Sequence, residues 1–190
     1  AKLATEILRS SKESASFIKE LMIFARRRET HPVLTTLNEP VTELKVLLDS
    51  LLGKGVSVTY TLAKDLAKTK IEPDNFKQAA LNLAVNARDA MNGYGGIMIK
   101  TFNAGPADLP PLLPRGDYAV FEISDTGPGI PPEVLPRIFE PFFTTKPQGK
   151  GTGLGLSTVY GIVSQNGGQI IAANRPGGGA VVTVYFPAVK

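Results

Sequence analysis

Apolar residues recur at steps of three and four positions in four segments of the chain, which is the period of a helix with one buried face. The predicted helices cover residues 3–28, residues 38–52, Pro73 to Met91 and about Thr152 to Asn166. We expect Asn38 to cap the second helix, because its short side chain can accept a hydrogen bond from a free amide of the first turn. Gly53 would end that helix.

Runs with the alternation or β-branched content of strands fill much of the remaining sequence. They cover Val56–Leu62, Lys70–Ile71, Ile97–Asn103, Tyr118–Ser124, Gln169–Ala173 and Ala180–Phe186, the last two as a hairpin. A proline-rich surface loop is expected around residues 106–114. Strands and helices do not alternate regularly, so a doubly wound parallel sheet is disfavoured. The predicted fold class is α/β (α+β), a two-layer sandwich in which helices cover one face of a mixed sheet.

Composition narrows the possible classes of protein. The 190 residues suffice for one compact domain with a short appendage, and cysteine is absent, which fits a reducing compartment. The formal charge of +4 is scattered along the sequence, and no apolar run reaches the length of a membrane span. We therefore expect that this part of the protein contacts neither nucleic acid nor a membrane and is cytoplasmic, and a membrane anchor of the parent protein would lie outside this sequence.

Three polar residues line one stripe of the third predicted helix. Asn82, Asn86 and Asp89 follow each other at four and three positions, and apolar residues surround them. The carboxamides could simply bridge neighbouring backbone, or they could form the polar edge of a ligand site.

A glycine-rich turn follows the strand that ends near Ser124. In the stretch DTGPGI, Asp125 stands at the strand end beside Gly127 and Gly129. A tight turn explains such a pattern. Alternatively, the carboxylate accepts a hydrogen bond from an exocyclic amine, which adenine has and guanine lacks at that position.

The stretch GKGTGLGLSTVYGIV, from Gly149 to Val163, places alternating glycines directly before a helix. Backbone amides free of side chains, next to a helix N-terminus, suit a phosphate group. The stretch is not a P-loop, since Lys150 precedes glycine rather than serine or threonine, and it does not fit the dinucleotide-binding fingerprint either. A flexible hinge is the alternative.

Four stretches in this order, NLAVNARDAM, DTGPGI, IFEPFFTTK and GTGLGLSTVYGIV, resemble the conserved boxes of bacterial sensor histidine kinases, the hybrid kinases in particular. These kinases belong to the GHKL ATP-binding superfamily, together with gyrase and MutL. The resemblance begins near Leu37, and the N-terminal helix is similar to the second helix of the dimerisation and phosphoacceptor domain. It implies a helix-and-linker segment over 1–36 and a catalytic domain over 37–190, with ATP and Mg²⁺ as cofactors.

The resemblance also implies roles for individual residues. Asn86 would bind Mg²⁺ with the triphosphate, Asp125 would hold the adenine amine, and Lys146 would reach the γ-phosphate. Gly127 and Gly129 would admit the base, while Phe139, Phe142 and Phe143 would anchor a mobile lid. The phosphates would lie against Gly151, Gly153, Leu154 and Gly155. The further expected nucleotide contacts are Asn82, Arg88, Asp89, Ile130, Thr145, Thr152 and Leu156, and which of Arg88 and Asp89 faces the nucleotide is open.

Asn82 favours phosphoryl transfer over hydrolysis. Hydrolases of the superfamily have a glutamate at this position, and an amide cannot take a proton from water as a carboxylate can. His31 lacks the His-Asp/Glu pattern of a phosphoacceptor and precedes Pro32, so we expect a linker residue and an acceptor histidine outside this sequence. The chain alone would then not autophosphorylate. The alternatives are a hydrolase of the MutL or gyrase kind and a non-catalytic ATP-sensing module.

The expected partners follow from the same resemblance. They are a phosphoacceptor-helix domain, the receiver domain of a response regulator and a second copy of the chain through the N-terminal helix.

Overall fold

The computed structural model describes residues 31–111, 113–147 and 151–189. The helix predicted over residues 3–28, and any dimer that it forms, lie outside the described residues. None of the helices in the described ranges combines the length and the apolar character that a membrane-spanning helix requires.

The described elements follow in the order β1, α1, β2, β3, α2, β4, β5, α3, β6 and β7. The strands are β1 Val33–Thr35, β2 Val56–Leu62, β3 Thr69–Ile71, β4 Gly95–Ala104, β5 Tyr118–Asp125, β6 Gln169–Asn174 and β7 Ala180–Pro187. The helices are α1 Asn38–Leu52, α2 Pro73–Ala90 and α3 Gly155–Gln165, and a single 3₁₀ turn covers Leu135–Arg137.

Within the described residues, a five-stranded sheet has the order β2-β4-β5-β7-β6. Strands β2 and β4 are parallel, and every other pair in this sheet is antiparallel, so the sheet is mixed as predicted. The register sets Ile97 of β4 opposite Asp125 of β5. This pairing brings the end of β5 to the sheet edge at which β4 begins.

Helices cover one face of the sheet. Because side chains alternate across a strand, the neighbours Val120 and Phe121 of β5 point to opposite faces. Phe121 belongs to the main core, where it meets Phe76 of α2 edge to face with ring centroids 5.3 Å apart. Val120 packs on the other face in a smaller cluster with Tyr118, Tyr185 and Leu113. The proline-rich loop thus contributes Leu113 to the covering of that face.

A short strand before α1 was missed from the sequence. Strand β1 pairs antiparallel with β3, with Val33 opposite Ile71. Thr69 of β3 in turn donates from its hydroxyl to the carbonyl of Pro187, at 2.9 Å. Three residues are too few for alternation to show, and the partner strand lies more than thirty positions away in the sequence.

The predicted cap of α1 was wrong. Leu37 occupies the N-cap position without a side-chain cap, and Asn38 already lies inside the helix. Its amide instead donates to the carbonyl of Ala63 at 2.7 Å and accepts from the hydroxyl of Thr101 at 2.7 Å. Asn38 therefore joins the start of α1 to the region of the sheet where β2 ends.

The start of α3 also differs from the prediction. The helix begins at Gly155 rather than near Thr152 and ends at Gln165. Gly153 has a φ of +68°, which lies outside the helical region. The chain therefore turns into the helix only after the second described glycine of the glycine-rich stretch.

Candidate functional site

A cleft of about 1480 Å³ lies between α2, the loop after β5, and the start of α3. It is also lined by the segment before α3, a name used here for the described residues 138–147 and 151–154. It gathers most of the residues that the sequence singled out. Those on its wall are Asn82, Asn86, Arg88, Asp89, Asp125, Gly129, Ile130, Phe143, Thr145, Lys146, Gly151, Thr152, Gly153, Gly155 and Leu156. Gly127, Phe139 and Leu154 lie outside this wall, and Leu154 is buried in the interior.

The polar stripe of α2 faces the start of α3. The amide of Asn82 donates to the carbonyl of Gly155 at 3.4 Å. One turn further along α2, the amide oxygen of Asn86 lies 3.5 Å from the ammonium of Lys146. The side-chain amide of Asn82 thus bridges to neighbouring backbone, which is one of the two alternatives from the sequence. Asn86 instead presents its oxygen to a cation inside the cleft.

Asp125 is a buried carboxylate with only 6% of its surface exposed. Its Oδ1 accepts hydrogen bonds from the amide of Gly127 at 2.8 Å and from the amide of Ala180 at 3.2 Å. Both bonds use the same oxygen, and the residue lies on the cleft wall. Such a fixed carboxylate can present Oδ2 as an acceptor to a ligand amine.

Asp89 lies between two cations. Its Oδ2 accepts from the ammonium of Lys146 at 2.7 Å, and its Oδ1 accepts from Arg88 at 2.7 and 3.0 Å. Burial raises the pKa of the Asp89 carboxyl, but the hydrogen bonds and the charges of Lys146 and Arg88 outweigh burial and lower the pKa below its ordinary value. Asp89 is therefore held as a carboxylate.

Arg88 extends this network to another helix. One of its terminal nitrogens donates to the carbonyl of Leu51 at 3.0 Å, close to the end of α1. A guanidinium at this position suits the negative end of a helix dipole. A chain of polar contacts consequently runs from the end of α1 through Arg88 and Asp89 to Lys146.

Two residues of the segment before α3, Phe142 and Gly153, are in direct backbone contact. The amide of Phe142 donates to the carbonyl of Gly153 at 2.9 Å. A side chain on Gly153 would overlap the backbone of Phe142, so this approach requires glycine. Phe142 itself has a φ of +66°, a conformation that non-glycine residues rarely adopt.

Phenylalanine rings of the segment before α3 make two contacts, one with α3 and one with the 3₁₀ turn. The ring of Phe139 lies 5.9 Å from that of Tyr160 on α3, and the guanidinium of Arg137 lies 4.5 Å from the ring centre of Phe143. Phe142 is 60% exposed. Phe139 therefore packs against α3 and Phe143 against the nearby 3₁₀ turn, whereas Phe142 projects toward solvent.

The structure adds residues that the sequence did not indicate. The β6–β7 turn is defined here as residues 174–180, from the last residue of β6 to the first residue of β7. It contacts the end of β5 and the loop that follows, through Asn174 at Ile130 and Arg175 at Asp125. Thr126, inside that loop, accepts from the amide of Gly96 at 2.9 Å. The glycine run after Arg175 indicated a hairpin turn, but no sequence signal linked that turn to a loop about forty-five residues upstream.

The chain matches one known protein family over most of the described residues. Residues 71–190 match the family described as histidine kinase-, DNA gyrase B- and HSP90-like ATPase. The chain belongs to this family, and its fold is that of the catalytic ATPase domain of sensor histidine kinases.

Individual relatives are sensor kinases. The chain is 44% identical over 185 residues to the sensor kinase CckA of Brucella abortus. The aligned region covers 95% of this chain and 20% of that protein. It resembles the solved catalytic domain of histidine kinase ThkA with a TM-score of 0.69 and 29% identity, over 84% of this chain and 97% of that one. A structure of ThkA in complex with the response regulator protein TrrA aligns with a TM-score of 0.76 and 25% identity, over 100% of this chain and 51% of that one.

The chain thus spans about a fifth of the length of CckA. The family resemblance and the predicted fold class are confirmed by these comparisons. The predicted roles of single residues are not tested by them.

Proposed function

We propose that this chain is the ATP-binding catalytic core of a two-component sensor kinase, which transfers the γ-phosphoryl group of ATP to a histidine on a phosphoacceptor helix. The observation that carries the proposal is the meeting of a buried carboxylate, Asp125, with Asn86 and Lys146 in one cleft. Asp125 can accept from the amine of adenine, the amide oxygen of Asn86 can bind the metal ion, and the ammonium of Lys146 can contact the phosphates. The three side chains thus suit one ATP molecule with its Mg²⁺.

Adenine would be read by Asp125. With Oδ1 fixed by two amides, Oδ2 is available to accept from the exocyclic amine of adenine. Guanine would present a carbonyl oxygen to the same carboxylate, and the two acceptors would repel each other. Preference for ATP over GTP follows, because a site built to hydrogen-bond one group rejects an analogue that lacks it.

The phosphates would lie near Asn86 and Lys146. The amide oxygen of Asn86 already faces an ammonium at 3.5 Å, so this position tolerates positive charge. An oxygen ligand of this kind fits Mg²⁺, which takes one or two protein oxygens together with phosphate oxygens. When bound, the ion would neutralise charge on the triphosphate. Lys146 would donate to the terminal phosphate, and the described glycines before α3 would let backbone amides approach it.

Transfer rather than hydrolysis is supported by Asn82. Its amide has no basic group that could take a proton from water, and it donates to the carbonyl of Gly155. In the transfer, a ring nitrogen of the acceptor histidine attacks the γ-phosphorus and the bond to the bridging β,γ-oxygen breaks. ADP leaves, and the proton on the other ring nitrogen of the histidine goes to solvent.

The partners remain proposals as well. ThkA has been crystallised with the response regulator protein TrrA, and we propose that the parent of this chain passes its phosphoryl group to a receiver domain of that type. The division at residue 36, a dimer through the N-terminal helix and a cytoplasmic location stay predictions.

ATP labelled with ³²P at the γ-position tests the proposal when the chain is mixed with a separate phosphoacceptor-helix domain. Acid-labile label on the acceptor histidine is the expected result. Free labelled phosphate as the main product would instead indicate a hydrolase, and bound but unchanged ATP would indicate a sensing module. An acceptor with its histidine replaced by alanine is the control, and it should remain unlabelled.

A further inference from the structure

The β6–β7 turn makes hydrogen bonds to both ends of the loop that follows Asp125. At the far end, the side-chain amide of Asn174 makes two hydrogen bonds to one residue. Its oxygen accepts from the amide of Ile130 at 2.7 Å, and its nitrogen donates to the carbonyl of Ile130 at 2.7 Å. Two bonds to one residue fix both its position and the direction of its peptide groups, as a neighbouring strand would.

At the near end, the same turn holds Asp125. The guanidinium of Arg175 donates to the main-chain carbonyl of Asp125 at 3.0 Å, and the amide of Ala180 donates to its Oδ1 at 3.2 Å. Gly179 makes this contact possible, because a side chain there would overlap the backbone of Asp125. The turn and the loop are thus in direct backbone contact.

The turn is itself fixed by backbone hydrogen bonds. The amide of Arg175 donates to the carbonyl of Gly179 at 2.9 Å, and the amide of Gly178 donates to the carbonyl of Arg175 at 3.1 Å. Strands β6 and β7 continue the hairpin into the central sheet. A short closed turn on a sheet is a firm support for this loop, because Gly127 and Gly129 have no side chains that would restrict their backbone.

Asp125 and Ile130 line the cleft, whereas Asn174 and Arg175 do not. We infer that Asn174 and Arg175 are positioning residues for adenine recognition, which act through Asp125 and Ile130 without touching the nucleotide. The inference rests on the proposed function, since it assumes that the base binds beside Asp125. The β6–β7 turn thereby holds the Asp125 carboxylate in its orientation toward the base.

The chain offers a matched control for this inference. Asn103, on β4, also uses both ends of its side-chain amide on backbone groups, accepting from the amide of Ala67 at 2.9 Å and donating to the carbonyl of Asp65 at 2.8 Å. Both asparagines are exposed, and Asn103 does not line the cleft. Asn103→Ala therefore removes one accepted and one donated hydrogen bond of the same kind, at a position away from the proposed adenine site.

The test is calorimetric titration of the full 190-residue chain with ATP and with GTP, in the presence of Mg²⁺. Asn174→Ala should weaken ATP binding by about threefold to tenfold, the loss expected for two modest hydrogen bonds, and should lower the ratio of ATP to GTP affinity. Asn103→Ala should keep the affinity and the ratio of the parent chain. Arg175→Ala should act like Asn174→Ala, and it serves as the second variant should Asn174→Ala not fold.

Two results would overturn the inference. One is an unchanged ratio in folded Asn174→Ala and Arg175→Ala while the parent prefers ATP. The other is an equal loss in Asn103→Ala, which would mean that only general stability changed. Failure of the parent chain to bind ATP at all would remove the proposed function itself, and the inference with it, so the two failures are distinguishable.

Discussion

The ammonium of Lys146 lies 2.7 Å from the carboxylate of Asp89 and thereby joins the segment before α3 to helix α2. The same ammonium lies 3.5 Å from the amide oxygen of Asn86. A cation is thus held at the part of the cleft where the proposed function needs one. Because Arg88 supports Asp89 from the other side, the position of Lys146 is linked to the end of α1.

Replacing Lys146 tests whether this cation serves phosphoryl transfer. Lys146→Ala should slow transfer to a separate phosphoacceptor-helix domain by at least about tenfold, since a charge-assisted contact to the transferring group is lost. Initial rates of histidine labelling measure the effect. Lys77→Ala is the control, because Lys77 also pairs with carboxylates, Asp74 and Glu43, but does not line the cleft. Equal rates in the two variants would refute the role of Lys146.

The pairing of Asp89 predicts a dependence of stability on pH. Its pKa is lower in the folded protein than its ordinary value, so the carboxylate stabilises the fold above that ordinary value. The contribution is lost as the pH falls below that ordinary value and through the lower pKa of the folded state. In urea unfolding at a series of pH values, the parent should therefore lose stability in acid more steeply than Asp89→Asn.

Glu133→Gln removes an exposed carboxylate and serves as the control for that titration. Its stability should follow the pH curve of the parent chain. Parallel curves for the parent and Asp89→Asn would show that the two cations do not stabilise the charged form of Asp89.

Two glycines of the same region should respond to alanine in opposite directions. Gly153 has a φ of +68°, and a side chain there would overlap Phe142, whereas Gly161 lies in α3 with open space around it. Gly153→Ala should lower the melting temperature by a few degrees, the effect of about 1–2 kcal/mol of strain. Gly161→Ala should raise it, because alanine favours a helix by about 1 kcal/mol over glycine. A raised melting temperature for both variants would contradict the closeness of Phe142 and Gly153.

Asn86 should account for the effect of Mg²⁺ on nucleotide binding. We expect Mg²⁺ to strengthen ATP binding to the parent chain, compared with binding in a metal chelator, and Asn86→Ala to remove most of that gain. Titrations with and without Mg²⁺ measure the difference. Asn103→Ala should retain the full gain. A gain of parental size in Asn86→Ala would place the metal elsewhere.

Periodicity was sufficient to predict the larger elements. The pattern over Pro73–Ala90 and the alternation in Val56–Leu62 are long enough for their buried faces to be read from one segment at a time. The stripe of Asn82, Asn86 and Asp89 was predicted for the same reason, because residues three and four apart share a helix face.

Features that depend on distant pairing could not be predicted. Strand β1 exists because β3 lies beside it, and Asn38 bonds to Ala63 and Thr101 rather than to its own helix. Local capping chemistry was outweighed by contacts that form only in the folded chain. The support of the Asp125 loop by Asn174 has the same origin, since side chain and loop meet across 44 positions of sequence.

The most direct test of the proposed function is ATP binding by Asp125→Asn. Asparagine keeps an oxygen that can accept from Gly127 and Ala180, so the loop is expected to keep its shape, but its NH₂ group would face the adenine amine as a second donor. Calorimetric titration should show at least about tenfold weaker ATP binding than in the parent, together with a loss of preference over GTP. Undiminished ATP binding by folded Asp125→Asn would contradict adenine recognition by this carboxylate.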